Sequence, residues 1–316
     1  MRVVTAAEID GALSFPILIE ALDEAFRGDI VVPVRHHHEI ERAGSPGTLL
    51  LMPAWTGAAS GNGYVGVKVV SVFPDNAARS LPSVFGTYLL MEGETGEPVA
   101  ALDGTRLTVW RTAAASALAA RHLAREDARR MAMVGAGALA PFLIRAHMSV
   151  RPIREVKLWN HRPDKARALA AELRREGLPA EAVEDLEPAV RGADVISCAT
   201  LSAAPLVRGA WLKPGSHLDL VGAFNMKMRE ADDAALARAS VHIDTAAARS
   251  EGGDVALGLK SGAIGEEQIK GDLFDLCRGR APGRTRADEI TLYKSVGTAI
   301  ADLAAAVAVW RIVGAR

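Results

Sequence analysis

Six residues, Gly135-Ala136-Gly137-Ala138-Leu139-Ala140, all small but Leu139, follow the apolar stretch Met131–Val134 and lead into a segment of helical pattern. A G-x-G-x-x-A run between a strand and a helix has the chemistry of a dinucleotide loop. Gly135 permits the tight turn, Gly137 lets the backbone approach a pyrophosphate, and Ala140 keeps the helix close to the sheet. The N–H groups at the helix N-terminus then face the phosphates. In NAD enzymes an acidic residue about 20 positions further on takes the ribose 2′-hydroxyl. This chain has Asn160-His161-Arg162 there and no acid before Asp164. A carboxylate would repel a 2′-phosphate, whereas Arg162, assisted by Lys165, pairs with one. The expected cofactor is therefore NADPH, with NADH possible; the bland alternative for Arg162 is a solvated surface charge. Cys198 and Thr200 end a further strand at the crevice where dinucleotides lie, although a free cysteine is more often a small buried apolar residue.

Other reactive side chains form no comparable pattern. His36-His37-His38 invites a metal reading, but alternate residues of a strand point to opposite faces. No spaced Cys, Asp or Glu set accompanies them, so a strand or loop edge is expected and no metal site. The two cysteines, Cys198 and Cys277, make neither a disulfide framework nor a zinc site and point to a reducing cytoplasm. A net charge of −1 gives no electrostatic case for nucleic acid or an anionic membrane. The most apolar stretch, Ile300–Val309, is interrupted by Asp302 and is too short to span a bilayer.

The elements that must position these residues fall into two parts. Thr5 to Phe26 is helical in period, and short β-branched and aromatic runs follow at Thr48–Pro53, Tyr64–Val72, Val84–Leu90 and Pro98–Leu102. Glu94-Thr95-Gly96-Glu97 reads as the turn of a hairpin. These features predict a mainly antiparallel sheet with a flanking helix. Leu107–Ala124 is alanine-rich and predicts a long helix. From Arg130 strands and helices alternate: strands at 131–134, 156–160, 195–200, 217–222 and 241–245, and a helix from Pro163 to a stop at Gly177. This alternation predicts an α/β fold with a doubly wound parallel sheet. Leu292–Val313 reads as one apolar helix.

With these pieces placed, the chain resembles the ornithine cyclodeaminase/μ-crystallin family over nearly its whole length. The resemblance is carried by Val67-Lys68-Val69, by Leu107–Ala117, and by Gly135–Ala140. It continues in Val221-Gly222-Ala223-Phe224, Met228-Arg229-Glu230 and Leu292-Tyr293-Lys294-Ser295-Val296-Gly297. It implies a Rossmann domain over 113–293. It also implies a mainly antiparallel α+β domain, 1–112 with 294–316, that binds substrate and forms a homodimer. It further implies chemistry at the bond between an α-carbon and nitrogen beside a carboxylate. Arg35, Lys68 and Arg111 match the family's carboxylate-binding cations, and Lys68 is also a candidate proton donor. Their alternatives are an outward strand position for Lys68 and an interdomain or surface salt bridge for Arg111, taken as the start of the alanine-rich helix. The expected cofactor contacts are Thr112, Gly135, Ala136, Gly137, Ala138, Leu139, Asn160, His161, Arg162, Lys165, Thr200, Val221 and Ser295. Thr112 is otherwise a helix-start cap or a packing residue, and Lys294 and Ser295 are read as opening the last helix.

One departure is informative. Deaminating members of the family carry an aspartate where this chain has Phe224, and phenylalanine moves no proton. Imine-reducing members share the phenylalanine but carry Pro-Asp shortly after it, where this chain has Met226-Lys227. The expected reaction is therefore NAD(P)H-dependent reduction of Δ1-pyrroline-2-carboxylate to proline or of Δ1-piperideine-2-carboxylate to pipecolate. Ornithine cyclodeamination, or a protein that holds NADPH and a ligand with little turnover, are the alternatives.

Overall fold

The structure is a computed structural model and describes residues 1–61 and 63–314. In chain order it opens with β1 (Arg2–Val4), α1 (Ala6–Ala12), α2 (Phe15–Arg27), β2 (Ile30–Val31), β3 (His36–Ile40) and β4 (Gly47–Thr56). Then come β5 (Tyr64–Val72), β6 (Val84–Glu92), β7 (Pro98–Asp103) and α3 (Gly104–Leu123). The alternating part holds β8 (Arg130–Val134), α4 (Ala140–Val150), β9 (Glu155–Trp159), α5 (Pro163–Arg175), β10 (Ala180–Ala182), α6 (Leu186–Gly192) and β11 (Val195–Cys198). It continues through β12 (His217–Leu220), α7 (Asp233–Arg238), β13 (Ser240–Ile243), α8 (Gly253–Ser261), β14 (Ile269–Asp272), α9 (Leu273–Cys277) and β15 (Thr291–Lys294), and α10 (Ala299–Val313) follows. Two compact units result: Met1–Arg111 with Thr298–Arg316, and Thr112–Gly297.

In the first unit the strand order is β1-β7-β6-β5-β4-β2, with β3 also on β4. All pairs are antiparallel except β1 with β7. The side-chain period of two gives this sheet a clean division of faces. Met52, Lys68, Tyr88 and Leu102 stand in register across β4 to β7 and are all buried. Helix α10 packs against β4, β5 and β6 and against α2. The intervening residues Leu51, Val67, Val69 and Leu89 are only half-buried, on the other face.

Two expectations change here. The helical stretch from Thr5 to Phe26 is two helices. Thr5 and Glu8 form a capping box for α1, which stops at Leu13, and Pro16 opens α2 because a residue without an N–H starts a helix better than it continues one. Helix α3 begins at Gly104, two turns before Arg111, where the Asp103 carboxylate accepts from the Arg106 amide at 2.8 Å. Arg111 and Thr112 are therefore interior helix residues, not helix openers or caps.

The second unit is an eight-stranded sheet in the order β10-β9-β8-β11-β12-β15-β13-β14, parallel throughout. Strands β11, β12 and β15 are buried along their full length, as strands covered on both faces are. The winding reverses between β8 and β11, so the loops after Val134 and Cys198 flank a topological switch point. The stretch 292–313 is not one helix. Thr291–Lys294 forms β15 between β12 and β13, where its β-branched and aromatic residues complete the sheet. Gly297 then turns the chain with φ +83°, and α10 begins at Ala299. Lys294–Gly297 thus lie in the second unit, although the expected boundary was at 294. No helix among the described residues is long and apolar enough to cross a membrane.

Candidate active site

The first unit holds a buried cluster of charge. Lys68 lies in the middle of β5 on the face under α10 and is 2% exposed; Arg111 is 7% exposed. Both reach Asp302, in the first turn of α10 and fully buried. The Lys68 ammonium stands 2.9 and 2.7 Å from the two Asp302 oxygens, and the Arg111 Nε donates to Oδ1 at 2.9 Å. Burial lowers the Lys68 ammonium from 10.5 to about 8; the Arg111 and Arg35 charges push the same way, and Asp302 opposes them. Burial alone would raise Asp302, yet Arg111 and Lys68 hold its carboxyl below the usual range. Arg35 is half-buried just before β3 and is near enough for its charge to act on Lys68. The three cations named from sequence are thus neighbours, and Lys68 does not face outward.

Sequence reasoning missed Asp302, which it used only as a break in an apolar run. The available signal was an acid at the start of an otherwise apolar helix, where a carboxylate needs a cationic partner. It also missed what steadies Arg111. The adjacent Trp110 donates its indole N–H to Asp10 at 2.8 Å and packs its ring 4.7 Å from that of Phe15. Arg106, one turn earlier, makes two 2.6 Å bonds to Asp10. Histidines 36 to 38 lie exposed along β3, with the rings of His36 and His38 edge to face at 6.3 Å.

In the second unit the glycine loop fits a dinucleotide. Gly135 has φ +111°, and a Cβ there would stand 2.5 Å from the Ala199 carbonyl oxygen. At Gly137 a Cβ would meet nothing within 4 Å, and Gly137 and Ala138 are exposed, so the loop is open where phosphates would lie. Asn160 ties this loop to the end of β9: its Oδ1 accepts from the Ala136 amide at 3.2 Å and its Nδ2 donates to the Arg162 carbonyl at 3.1 Å. His161, Arg162 and Lys165 are exposed beside it, with Arg162 at the N-cap of α5. Leu139 and Val221 lie at the ends of the turn and of β12. Cys198 is a buried thiol pushed well up by burial, the bland reading. The Ser295 hydroxyl donates to Asp244, whose carboxylate also takes the Val296 and Gly297 amides at 2.8 and 2.7 Å. Ser295 therefore holds the loop after β15 rather than opening α10. Phe224 is 50% exposed in the loop after β12. A groove of about 500 Å³ lined by Arg130, Glu155, Lys157 and Glu181 lies at the opposite end of β8 and β9 from Gly135, away from this chemistry.

The model of the ornithine cyclodeaminase/mu-crystallin family matches residues 2–314. The chain belongs to that family. Among its members, the Delta(1)-pyrroline-2-carboxylate reductase of Paracoccus denitrificans is 40% identical, over 93% of this chain and 91% of that one. The Delta(1)-pyrroline-2-carboxylate reductase of Thermococcus litoralis, solved in complex with NADH and L-proline, superposes with a TM-score of 0.92 at 31% identity, covering 100% of this chain and 98% of that one. An archaeal alanine dehydrogenase dimer with bound NAD gives 0.91 at 30% identity, covering 100% and 96%. The family architecture accounts for both units described above, the mainly antiparallel sheet and the parallel one.

Proposed function

We propose that this chain reduces the C=N bond of a cyclic imine carboxylate with a nicotinamide cofactor. The substrate is Δ1-pyrroline-2-carboxylate, Δ1-piperideine-2-carboxylate, or both, since one methylene in a pocket is worth only about 1–3 kcal/mol. The observation that carries this reading is the sharing of one buried carboxylate, Asp302, by two buried cations, Lys68 and Arg111. Two positive charges against one negative leave a surplus, and a substrate carboxylate is the group that balances it. Arg35 lies near enough for its charge to act on Lys68. The reductases named above support the reading, one of them in complex with NADH and L-proline. Phe224 weighs against deamination because it cannot serve as acid or base.

When bound, the nicotinamide supplies the hydride. This chain's residues do the rest. Arg111, Lys68 and Arg35 fix the carboxylate, which orients the C=N carbon. Lys68, protonated below about 8, is the group to which we assign delivery of a proton to the imine nitrogen. The exposed Arg162 would pair with a 2′-phosphate and underlies the proposed preference for NADPH, with NADH accepted. Loss of reduced-nucleotide absorbance with either imine tests the reaction, and the NADPH-to-NADH ratio in wild type and R162A tests the preference. Ammonia release from ornithine without nucleotide consumption would replace this reading with cyclodeamination.

We further propose a homodimer formed through the first unit's open sheet face. Leu51, Val67, Val69, Leu89 and Met91 are half-buried there, and Val3 on the same face is 69% exposed. A continuous apolar face of this kind marks an interface, and the archaeal relative named above is a dimer. A chain with two cysteines, Cys198 and Cys277, both buried, suits the cytoplasm, where we place the protein.

A further inference from the structure

Glu230 has no part in the reaction above, yet few side chains are more fully engaged. It lies in the loop before α7 and is fully buried. Its Oε1 accepts from the Thr200 amide at 2.7 Å and from the Thr200 hydroxyl at 2.9 Å. Its Oε2 accepts from the Gly222 amide at 2.7 Å and the Ala223 amide at 3.2 Å. One carboxylate thus joins the loop after β11 to the loop after β12, both at the C-terminal edge of the parallel sheet where dinucleotides bind.

The loops are packed so closely that no side chain fits between them. A Cβ on Gly222 would come 2.1 Å from the Thr200 carbonyl oxygen and 2.5 Å from Glu230 Oε1. On the other flank, a Cβ on Gly135 would touch Ala199 at 2.5 Å and Thr200 Cγ2 at 3.2 Å. Thr200 therefore sits between the phosphate loop and the Glu230 clasp. Glu230 is itself fixed: Asp254 Oδ1 accepts from the Glu230 and Ala231 amides at 2.8 and 3.0 Å, and Asp254 Oδ2 lies 3.2 Å from the Lys294 ammonium.

We infer that Glu230 is a positioning residue for the cofactor, clamping the loops after β11 and β12 in the shape that receives the nicotinamide end. The inference rests on the nucleotide reading above. It requires an ionised carboxylate, because three backbone amides, which can only donate, and one hydroxyl all point at its two oxygens. The groups that set this ionisation are Lys294 on β15, Asp254 on α8 and the neutral Cys198 on β11. Burial raises the carboxyl to about 7, with Lys294 opposing and Asp254 adding to the rise. Nucleotide binding should therefore weaken as pH falls through 7.

The test is binding of NADPH and of NADH by fluorescence titration, not turnover, for wild type, E230Q and T200V between pH 6 and 8.5, with melting curves alongside. E230Q keeps the volume but turns an amide N–H toward donors; T200V removes only the hydroxyl and decides the matter if E230Q does not fold. The expected result is at least tenfold weaker NADH binding for E230Q and about threefold for T200V. Wild-type affinity should fall several-fold from pH 8 to 6 and E230Q should lose that dependence. Folded variants that bind NADH within twofold of wild type overturn the clasp while leaving the cofactor reading intact. A wild-type protein that takes up neither NADPH nor NADH overturns both. Binding that persists while neither imine is reduced sinks only the reaction proposed above.

Discussion

The pair of cations on Asp302 makes opposite demands on stability and activity. Lys68 titrates at about 8 in the folded chain against 10.5 ordinarily. Between those values the unfolded chain carries the extra proton, so stability should rise with pH across that window. Activity should fall over the same window, because the neutral amine neither holds a carboxylate nor donates a proton. Denaturant melts and a profile of kcat/KM against pH, run on one preparation, check both; a parallel rise or fall of the two would contradict the role given to Lys68. D302N leaves two buried cations without their counter-charge. The expected cost is about 3–5 kcal/mol of stability, and the alkaline limb of the surviving activity should move below 8.

At the scale of elements, the regular pieces were legible and the joints were not. Strand β5 is legible to the residue from its β-branched run, and the β8–loop–α4 unit from its glycines, because period and turn chemistry are local. Strand β15 reads as helix from the sequence because Thr-Leu-Tyr-Lys is short and runs into an apolar stretch, and only its neighbours β12 and β13 decide its state. Lys68 was legible as an odd cation in an apolar strand. Asp302, Glu230 and Asp244 were not legible as partners, since each meets groups distant in sequence. The glycine loop gives a prediction at this scale. G135A would force a side chain into positive φ and against the Ala199 carbonyl, a strain of about 1–3 kcal/mol. Nucleotide affinity should drop more than tenfold in equilibrium dialysis, with the imine KM less affected.

For the molecule as a whole, the open face of the first sheet is the feature with most to lose in water. L89D places a carboxylate in its middle, beside Val67 in the β5–β6 register. Light scattering should show the substituted chain as a folded monomer and the wild type as a dimer; a dimeric L89D protein would move the interface elsewhere.

The placement of β15 and α10 also bears on how the chain comes to be folded during synthesis. β15 stands between β12 and β13, so β13 and β14, made earlier, have no place in the sheet until residue 294 has left the ribosome. The first sheet likewise waits for α10 to cover Met52, Lys68 and Tyr88. Each unit is closed by a piece that arrives late, and in the first unit the contacts that close it span much of the sequence, an arrangement that slows folding. Nascent chains arrested before Thr291 should therefore stay open to proteases and to chaperones in both units, and release of the remaining residues should protect the two together.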